Sequence, residues 1–297
     1  MATARDLNNK IASLQNMQKV MSAMNMIAST KLRKLLGKQA ALEQFSTAVD
    51  AVGDALSDAL SSTESKLTRN SKDGSRIHLI VIAADKGLCG SHNSSVLKTL
   101  AKTIEKEKKN GTTADVTCIG IRAAAFCRRH NYEILHAIDS NERHISDIAL
   151  REIAAELAKR LEKGEINKII LIHNHFVSTL VQQTRKVAIY PVKTADDDKK
   201  DSDKKEQKKA TTVTETAPAL EEFISPAAIL YFYYRIKSGL SDSYLSEHAA
   251  RMTAMENAKT NSEDLINRYG TIRNRARQTA ITSELIEIVA GKEAMKS

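Results

Sequence analysis

The sequence predicts an α/β protein with a long coiled-coil helix towards each end of the chain and βαβ units between them. Three observations indicate this fold class. Residues 7–56 carry an unbroken apolar heptad repeat without proline, and a second proline-free helical stretch runs from Ser241 to Ala290. Between them, short apolar runs alternate with helical segments. Sustained heptads are typical of coiled coils, and alternating strands and helices favour a parallel sheet.

The N-terminal coiled-coil helix is predicted over residues 1–65. Every seventh residue from Leu7 is apolar, and a companion series three residues on, starting at Lys10, is mostly apolar. Together they predict the seam of one helix of about 55 residues, which would be roughly 80 Å long. The first series is Leu7, Leu14, Met21, Ala28, Leu35, Leu42, Val49 and Leu56.

Methionine is concentrated in this helix. Four of the eight methionines in the chain are Met17, Met21, Met24 and Met26, and cations follow them at Lys31, Arg33, Lys34 and Lys38. Methionine is an adaptable apolar side chain that suits surfaces which must fit more than one partner geometry. The basic cluster indicates either a solvated face or contact with an acidic partner.

A lobe of strands and helices is predicted over residues 75–193. The strands are expected at Ile77 to Ala84, Asp115 to Ile121, Tyr132 to Ile138 and Asn167 to Phe176, with an extra edge strand at Thr184 to Val192. The helices are expected at Asn93 to Lys109, Arg122 to His130 and Ser146 to Lys163. This alternation predicts βαβ units on a parallel sheet.

A polar segment of nearly balanced charge, residues 195–217, separates this lobe from a C-terminal helical region over residues 219–297. The segment has too little apolar surface to order itself, so we predict a mobile loop. In the last helix, Gly291 is predicted as the C-cap. Beyond Ala280 apolar residues occur on every side, which predicts a helix tip enclosed by a partner or by another part of the same chain.

The turn after the first predicted strand, "AADKGLCGSHNSS", is where a doubly wound fold would bind phosphate. It matches neither GxGxxG nor GxxxxGK[ST]. We therefore expect a tight strand-to-helix turn in which Ser91, Asn93 or Ser94 caps the helix, and no bound cofactor.

Other chemical sites have weak support. His173 and His175 share one face of a predicted strand, which is compatible with metal binding, but the sequence suggests no third ligand. Cys89, Cys118 and Cys127 form no CxxC pair, which favours free thiols in a reducing compartment. No nucleophile motif such as GxSxG occurs, so the sequence offers no catalytic centre and no metal site.

The net charge of +9 indicates an acidic partner: nucleic acid, anionic lipid or a carboxylate-rich protein. An aromatic content of 4% without tryptophan weighs against nucleic acid. No apolar run approaches the roughly 18 residues of a membrane span. A basic coiled-coil nucleic-acid binder and a nucleotide-dependent enzyme remain as alternatives to a protein-binding coiled coil.

Three segments together resemble a known family. "NNKIASLQNMQKVMSAMNMIASTKLRK", "ADKGLCGSHN" and "SEHAARMTAMENAKTNSEDLINRYGTIRNRARQTAITSELIEIVAG" are similar, in order and spacing, to the signature regions of the gamma subunit of F-type ATP synthase. The resemblance implies a Rossmann-like lobe and terminal helices wound into an antiparallel left-handed coiled coil. It also implies a non-catalytic rotor shaft.

Partners and location follow from the same resemblance. It implies contact with the hexamer of alpha and beta subunits, the epsilon subunit and the ring of c subunits, with no nucleic-acid partner. It implies a peripheral position on the cytoplasmic face of a bacterial inner membrane, with membrane contact only through the complex. A mitochondrial source is less favoured because the N-terminal apolar repeat continues without a break where a cleavable leader would end.

The resemblance also assigns contact residues. Those implied to face the alpha and beta subunits are Met24, Lys86, Cys89, Arg251, Arg277, Gln278, Thr282 and Glu284. An upper bearing is implied at Ile281, Leu285, Ile288 and Val289. Two departures are Ser91 in place of the usual second glycine of the turn, and the sequence from Ile27 to Thr30 in place of VAAS.

Overall fold

The structure is a computed structural model that describes residues 4–37, 39–62, 76–140, 146–191 and 220–295. The charged segment predicted as a mobile loop, residues 195–217, lies outside the described residues. The helices are α1 (Ala4–Leu36), α2 (Gln39–Ser62), α3 (His92–Lys109), α4 (Ile121–Arg129), α5 (Asp147–Glu162) and α6 (Leu220–Ala294). The strands are β1 (Arg76–Ile82), β2 (Thr113–Ile119), β3 (Glu133–Ile138), β4 (Lys168–Phe176) and β5 (Gln182–Tyr190).

The chain divides into two compact units, and both long helices contribute to each. One unit, called the helix pair below, contains residues 1–30 and 251–297, and the other contains residues 31–250. The α/β fold class with an antiparallel pair of terminal helices is confirmed.

The second unit is built around a five-stranded sheet of order β3-β2-β1-β4-β5. The first four strands in this order pair in parallel, whereas β5 pairs antiparallel with β4 at one edge. The predicted parallel sheet and extra edge strand are therefore confirmed. The central strands are apolar at nearly every position because helices cover both faces of the sheet.

One face of the sheet packs on α3 and α4. Alternate side chains of β1, such as Leu79 and Val81, form a core with Val96 and Leu100 of α3 and with Cys127 of α4. All five side chains are fully enclosed. This period of two along the strand places the intervening residues on the opposite face.

The opposite face of the sheet carries α5 and the first part of α6. Gly239 of α6 lies so close to β4 that an added Cβ would be 2.6 Å from Leu171 Cδ2. Arg235 of α6 pairs with Asp50 of α2 at 2.6 Å. Tyr231, Phe232 and Tyr233 are consequently at most 2% exposed. This half of α6 is a core element of the lobe, whereas the sequence placed the long helix only from Ser241.

The helix pair is antiparallel along its described length. Asn8 faces Arg273, Gln18 faces Glu263 and Asn25 faces Glu256, so the partner number falls as the α1 number rises. Met21 accepts a hydrogen bond from Ser262 Oγ at 3.6 Å, and Lys10 Nζ lies 5.7 Å from the Tyr269 ring centroid.

The seam of the helix pair differs from the predicted one. The series from Leu7 is buried or half-buried at every position whose burial is described, as predicted. The companion series is wrong, because Lys10, Met17 and Met24 are exposed. The second row of the seam lies four residues after the first, at Ile11, Gln18 and Asn25. Polar side chains in that row concealed it from a reading based on apolar residues.

Two helix boundaries also differ from the prediction. The expected single N-terminal helix is two helices, α1 and α2, and Gly37 at the end of α1 donates its N–H to Arg33 O at 3.1 Å. Glycine commonly ends helices in this way, although the apolar repeat continues past it. Gly291 is not a C-cap, since α6 continues to Ala294 and Met295 N bonds to Gly291 O.

Candidate subunit-contact surfaces

The first surface is an apolar stripe on the outer face of α1. Met17, Val20, Met24 and Ile27 recur at intervals of three and four residues and are 48, 57, 38 and 52% exposed. This spacing places them on one face of a helix. Met24, a predicted contact residue, lies in the middle of the stripe, which we call the α1 stripe. Val20 and Ile27 were missed, although the same interval counting would have found them.

The second surface is the end of α6. The predicted polar contact residues Arg277, Gln278, Thr282 and Glu284 are all exposed. The predicted bearing residues Ile281, Leu285, Ile288 and Val289 are 49, 56, 67 and 59% exposed. We call residues 277–289 the α6 tip. Within the described chain, this is a helix segment with large apolar side chains exposed to solvent on several sides.

The helix pair explains why the α6 tip is uncovered. Asn8 lies opposite Arg273, and four residues before Asn8 is Ala4, where the described part of α1 begins. Continuing the antiparallel pairing by four residues reaches Arg277, so no described α1 residue remains to cover the tip. A shallow cavity of about 480 Å³ runs along the start of the tip. Its lining residues are Arg275, Gln278, Thr279, Thr282, Ser283 and Ile286.

The third surface is the turn after β1. Lys86 is exposed, as a contact residue should be, whereas Cys89 is only 2% exposed. Cys89 Sγ lies inside the turn, 3.8 Å from Lys86 O. Leu88 is the apolar side chain that the turn presents outward, since it is 64% exposed at a positive φ of 62°. The family motif pointed to Cys89 as the contact residue, whereas the neighbouring Leu88 forms the exposed surface of the turn.

Asn93 shapes this turn from inside. Its Oδ1 accepts from Ala84 N at 2.8 Å, and its Nδ2 donates to Lys86 O at 3.2 Å. The helix that follows has Ser91 at the N-cap position, without a side-chain cap hydrogen bond. The prediction that Ser91, Asn93 or Ser94 caps the helix is thus right about the position of Ser91 and wrong about a capping side chain.

Asp85 fixes the same turn to two neighbouring segments. Its Oδ1 accepts from Ile121 N at 2.9 Å and from Ser140 N at 2.8 Å. Gly120, just before Ile121, has φ of 109°, and a Cβ there would overlap the Ala83 carbonyl oxygen. The positive φ and the short distance to Ala83 O each exclude a side chain at Gly120. This arrangement was not predicted from the sequence, because the three segments are far apart along the chain.

The crevice between the carboxyl ends of β1 and β4 is where doubly wound folds bind nucleotides. Here it is filled by the protein itself. Asn174 of β4, 2% exposed, donates to His92 O at 2.8 Å and accepts from Thr184 Oγ1 at 2.7 Å. Ser246 of α6 donates to Asn174 O at 3.2 Å. These hydrogen bonds join β4 to α3, β5 and α6 at this edge of the sheet.

The predicted pair of histidines meets an acidic residue of α6. His175 Nδ1 lies 2.7 Å from Asp242 Oδ2, and His173 Nε2 lies 3.7 Å from the same oxygen. Burial raises the pKa of Asp242, but its hydrogen bonds with the two histidines outweigh burial and hold it below its usual range. No cluster suited to holding a metal ion occurs among the side chains that the structure describes. The pair therefore joins β4 to α6.

Comparison with known proteins places the chain in a family. The chain matches the family described as ATP synthase over residues 3–295. It is 30% identical to the ATP synthase gamma chain of Helicobacter pylori strain G27 over 305 residues, with both chains fully covered. The chain belongs to the ATP synthase gamma-chain family. The gamma chain of Chlorobium luteolum is a further bacterial relative, 28% identical with full coverage of both chains.

Chains of two solved structures share the fold of this chain. A chain of the rotor of Euglena gracilis mitochondrial ATP synthase aligns with a TM-score of 0.64 at 16% identity, covering 94% of this chain and 98% of that one. A chain of the central stalk and c-ring structure from Tetrahymena thermophila aligns with a TM-score of 0.57 at 22% identity, covering 80% and 99%. The resemblance to gamma subunits seen in the sequence is confirmed by the family match and by the bacterial relatives.

Two predicted features of this gamma-chain family member remain: the contact residue Arg251 and the basic cluster that follows the methionines. Arg251 is half-buried in α6. The cations Lys31, Arg33 and Lys34 of α1 are exposed, and Lys38 lies outside the described residues. No helix of the described residues combines the length and the apolar character that crossing a membrane requires.

The lobe also contains a buried polar network that the sequence did not indicate. Asp115 on β2, 1% exposed, accepts hydrogen bonds from His78 Nδ1 and from Arg160 Nη2. His78 Nε2 accepts from Thr117 Oγ1 at 2.9 Å. Because burial lowers the pKa of His78, its imidazole is neutral at neutral pH, and its proton lies on Nδ1, which faces the Asp115 carboxylate.

The same network keeps Asp115 ionised. Burial raises the pKa of a carboxyl group, but the hydrogen bonds from His78 and Arg160 outweigh it and lower the pKa of Asp115 to about 2. Arg76 adds a second cation, 3.7 Å from Asp115 Oδ2. The network ties β1 and β2 to α5, so it is structural support for the lobe.

Proposed function

We propose that this chain is the central rotor shaft of an F-type ATP synthase. Proton flow turns the ring of c subunits, the shaft turns with the ring, and the turning shaft drives the conformational cycle of the catalytic beta subunits. The observation that carries this proposal is the α6 tip, a helix end with exposed apolar side chains, in a member of the gamma-chain family. A helix apolar on several sides is normally buried, and exposed apolar patches of this kind mark sites of contact with other proteins.

The α6 tip would lie within the hexamer of alpha and beta subunits. Its bearing residues Ile281, Leu285, Ile288 and Val289 would pack against the upper collar of the hexamer. Arg277, Gln278, Thr282 and Glu284 would make polar contacts just below. Because the tip has no covering segment among the described residues, its apolar surface is available for this role.

The α1 stripe would contact the beta subunits in turn. The shaft meets three chemically equivalent beta subunits as it rotates, so its contacts must form again in several settings. The thioether chain of Met24 suits this requirement because it is flexible and polarisable. Val20 and Ile27 extend the contact along the same face of α1.

The role requires an asymmetric surface and no chemistry on the shaft itself. A subunit with two states moves from 1:99 to 99:1 when its partner binds one state better by about 5.5 kcal/mol. The α1 stripe is apolar, whereas Arg268, Arg273, Arg275 and Arg277 make the end of α6 basic. Different faces of the shaft would thus favour different conformations of the beta subunits. Catalysis itself would take place in the beta subunits.

The lobe would provide the lower attachment, to the epsilon subunit and the c-ring. Near the hexamer, the exposed Lys86 and the outward-facing Leu88 would contact the lower part of a beta subunit, on a turn that Asp85 and Asn93 hold in place. Cys89 would shape this turn from inside rather than touch a beta subunit directly. The chain would be a peripheral subunit on the cytoplasmic face of a bacterial inner membrane, reaching the membrane only through the complex.

Co-purification tests the proposal. The chain is expressed with alpha and beta subunits of the same source, the complex is isolated, and its subunit ratio and ATPase activity are measured. One copy of the chain per three alpha and three beta subunits, with activity that depends on its presence, is the expected result. A chain that stays separate from the hexamer, and instead binds nucleotide or nucleic acid alone, would refute the proposal.

A further inference from the structure

Two of the three cysteines form a contact pair inside the lobe. Cys118 on β2 and Cys127 on α4 place their sulfur atoms 3.5 Å apart, with the Cys118 thiol donating to Cys127. Both side chains are 0% exposed. The sulfur of Cys89 lies elsewhere, 3.8 Å from Lys86 O and 3.4 Å from Asn93 Nδ2. The pair is therefore distinct from the third thiol.

We propose that Cys118 and Cys127 are a modification site, a dithiol that reacts with a hydroperoxide to give an intramolecular disulfide. This inference is independent of the proposed shaft function, because it depends only on the geometry of the lobe. A disulfide needs the two sulfur atoms about 2 Å apart, so the contact must close by about 1.5 Å. Rotation of the two side chains and a small shift of α4 supply that movement.

The reaction has two balanced steps. The Cys127 thiolate attacks one oxygen of the hydroperoxide, the O–O bond breaks, and an alcohol leaves with the proton of the thiol, which yields a sulfenic acid. The Cys118 sulfur then attacks the sulfenic sulfur, the S–O bond breaks, and water leaves with the Cys118 proton. In sum, two thiols are oxidised and one hydroperoxide is reduced to one alcohol and one water.

Cys127 is the attacking sulfur because of the direction of the hydrogen bond. The Cys118 thiol donates to Cys127, and this contact lowers the pKa of Cys127 while it raises the pKa of Cys118. The thiolate is the reactive form of cysteine. A resolving thiol already in contact with the sulfenic acid favours the disulfide over further oxidation.

Access to the enclosed pair requires opening of α4. This helix has nine residues, Ile121–Arg129, and its outer residues Arg128 and Arg129 are exposed. Short helices with few buried side chains open locally more readily than the central strands. We expect slow oxidation, followed by a covalent link from α4 to β2. The link would hold α4, whose first residue Ile121 donates to Asp85, beside the turn of Lys86.

Peptide mapping of the intact chain tests the site without any substitution. The purified chain is treated with tert-butyl hydroperoxide, its free thiols are alkylated under denaturing conditions, and trypsin is added. Arg122 lies between the two cysteines, so a disulfide joins two separate tryptic peptides. The expected result is this joined pair, a mass loss of about 2 Da for the disulfide, reversal by dithiothreitol, and alkylation at Cys89 alone.

Variants supply the matched control. Cys89→Ala should keep the joined peptides, whereas Cys118→Ala and Cys127→Ala should each abolish them. Circular dichroism checks that each variant is folded. If the Cys118→Ala or Cys127→Ala protein does not fold, the peptide map of the wild-type chain alone decides the test. Three results would overturn the proposal: a link that involves Cys89, sulfinic or sulfonic acid at Cys127 without a link, or three thiols unchanged after prolonged treatment.

Discussion

The side-chain amide of Asn25 donates to Glu256 across the antiparallel helix pair, and Gln18 donates to Glu263 at 2.7 Å exactly one heptad away on both helices. Two polar contacts at equivalent heptad positions cannot form together if the helices slide by a few residues. Polar residues in a seam commonly fix register at a cost in stability. These contacts thus determine which α6 residues remain uncovered beyond the end of α1.

We predict that the double substitution Gln18→Leu with Asn25→Leu stabilises the helix pair and loosens its register. Two more apolar seam residues should raise the free energy of unfolding by about 1–2 kcal/mol. Register is measured by disulfide trapping between Asn8→Cys and Arg273→Cys, which lie in contact. The mismatched pair Asn8→Cys and Ala280→Cys should cross-link only in the leucine variant. Cross-linking limited to the first pair in both backgrounds would show that register is set elsewhere.

The α1 stripe yields a second prediction. Met24→Asp should weaken binding to the alpha and beta hexamer roughly tenfold and lower ATP-driven proton pumping, because a carboxylate would replace a buried apolar contact. Met24→Leu should retain most activity. Met21 provides the matched control, since it faces Ser262 in the seam. Met21→Leu should leave pumping near wild type, and equal losses in the Met24→Asp and Met24→Leu proteins would contradict the stripe assignment.

The α6 tip yields a third prediction. Arg277→Glu, or truncation after Ala280, should reduce coupling between ATP hydrolysis and proton pumping in the assembled complex. Both changes should leave the lobe folded, because these residues are exposed and belong to the helix pair. The readouts are pumping in membrane vesicles, ATPase activity, and circular dichroism of the isolated chain.

Lys98→Glu is the control for the tip, since Lys98 is an exposed cation on α3 of the lobe. It reverses a charge of the same sign and should leave coupling near wild type. Normal pumping in the truncated protein would remove the α6 tip from the contact surface. Loss of pumping in the Lys98→Glu protein as well would show that charge reversal acts without regard to position.

The sequence predictions succeeded where a pattern depends on residues close together in the chain, and they failed where it depends on residues far apart. Local patterns worked well, since β1, β4 and α5 begin and end within two residues of their expected limits. The seam was half right, because Leu7 and its heptad partners are apolar whereas Gln18 and Asn25 are not. A seam that uses amide side chains is recognised only when the facing carboxylates of the other helix are known.

Contacts between distant segments were not predictable. His78, Asp115 and Arg160 come from β1, β2 and α5, and nothing in their local sequence indicates that they meet. The motif comparison pointed to the turn after β1 but did not distinguish the buried Cys89 from the exposed Leu88. That distinction depends on the positive φ of Leu88 and on the hydrogen bonds of Asn93, which only the folded chain reveals.

The buried network gives the last prediction, that acid destabilises the lobe in two stages. His78 has a lowered pKa in the folded chain and an ordinary value of 6.5 when unfolded. As pH falls below about 6.5, the unfolded chain binds a proton that the folded chain does not, so stability declines. Protonation of Asp115 also lowers the stability of the folded chain, at lower pH. Its pKa rises from about 2 to 3.8 on unfolding, so about 2 kcal/mol present above pH 4 is lost as pH falls towards 2.

Urea denaturation between pH 7.5 and 5 measures the first stage. His78→Asn keeps an N–H donor near Asp115 without a titrating ring, so its stability should vary less with pH than that of the wild type. His130→Asn is the control, because it removes an exposed imidazole of the lobe that lies outside the network. If His78→Asn and wild type lose stability in parallel from pH 7 to 5, another group must account for the acid sensitivity, and the neutral state assigned to His78 would be wrong.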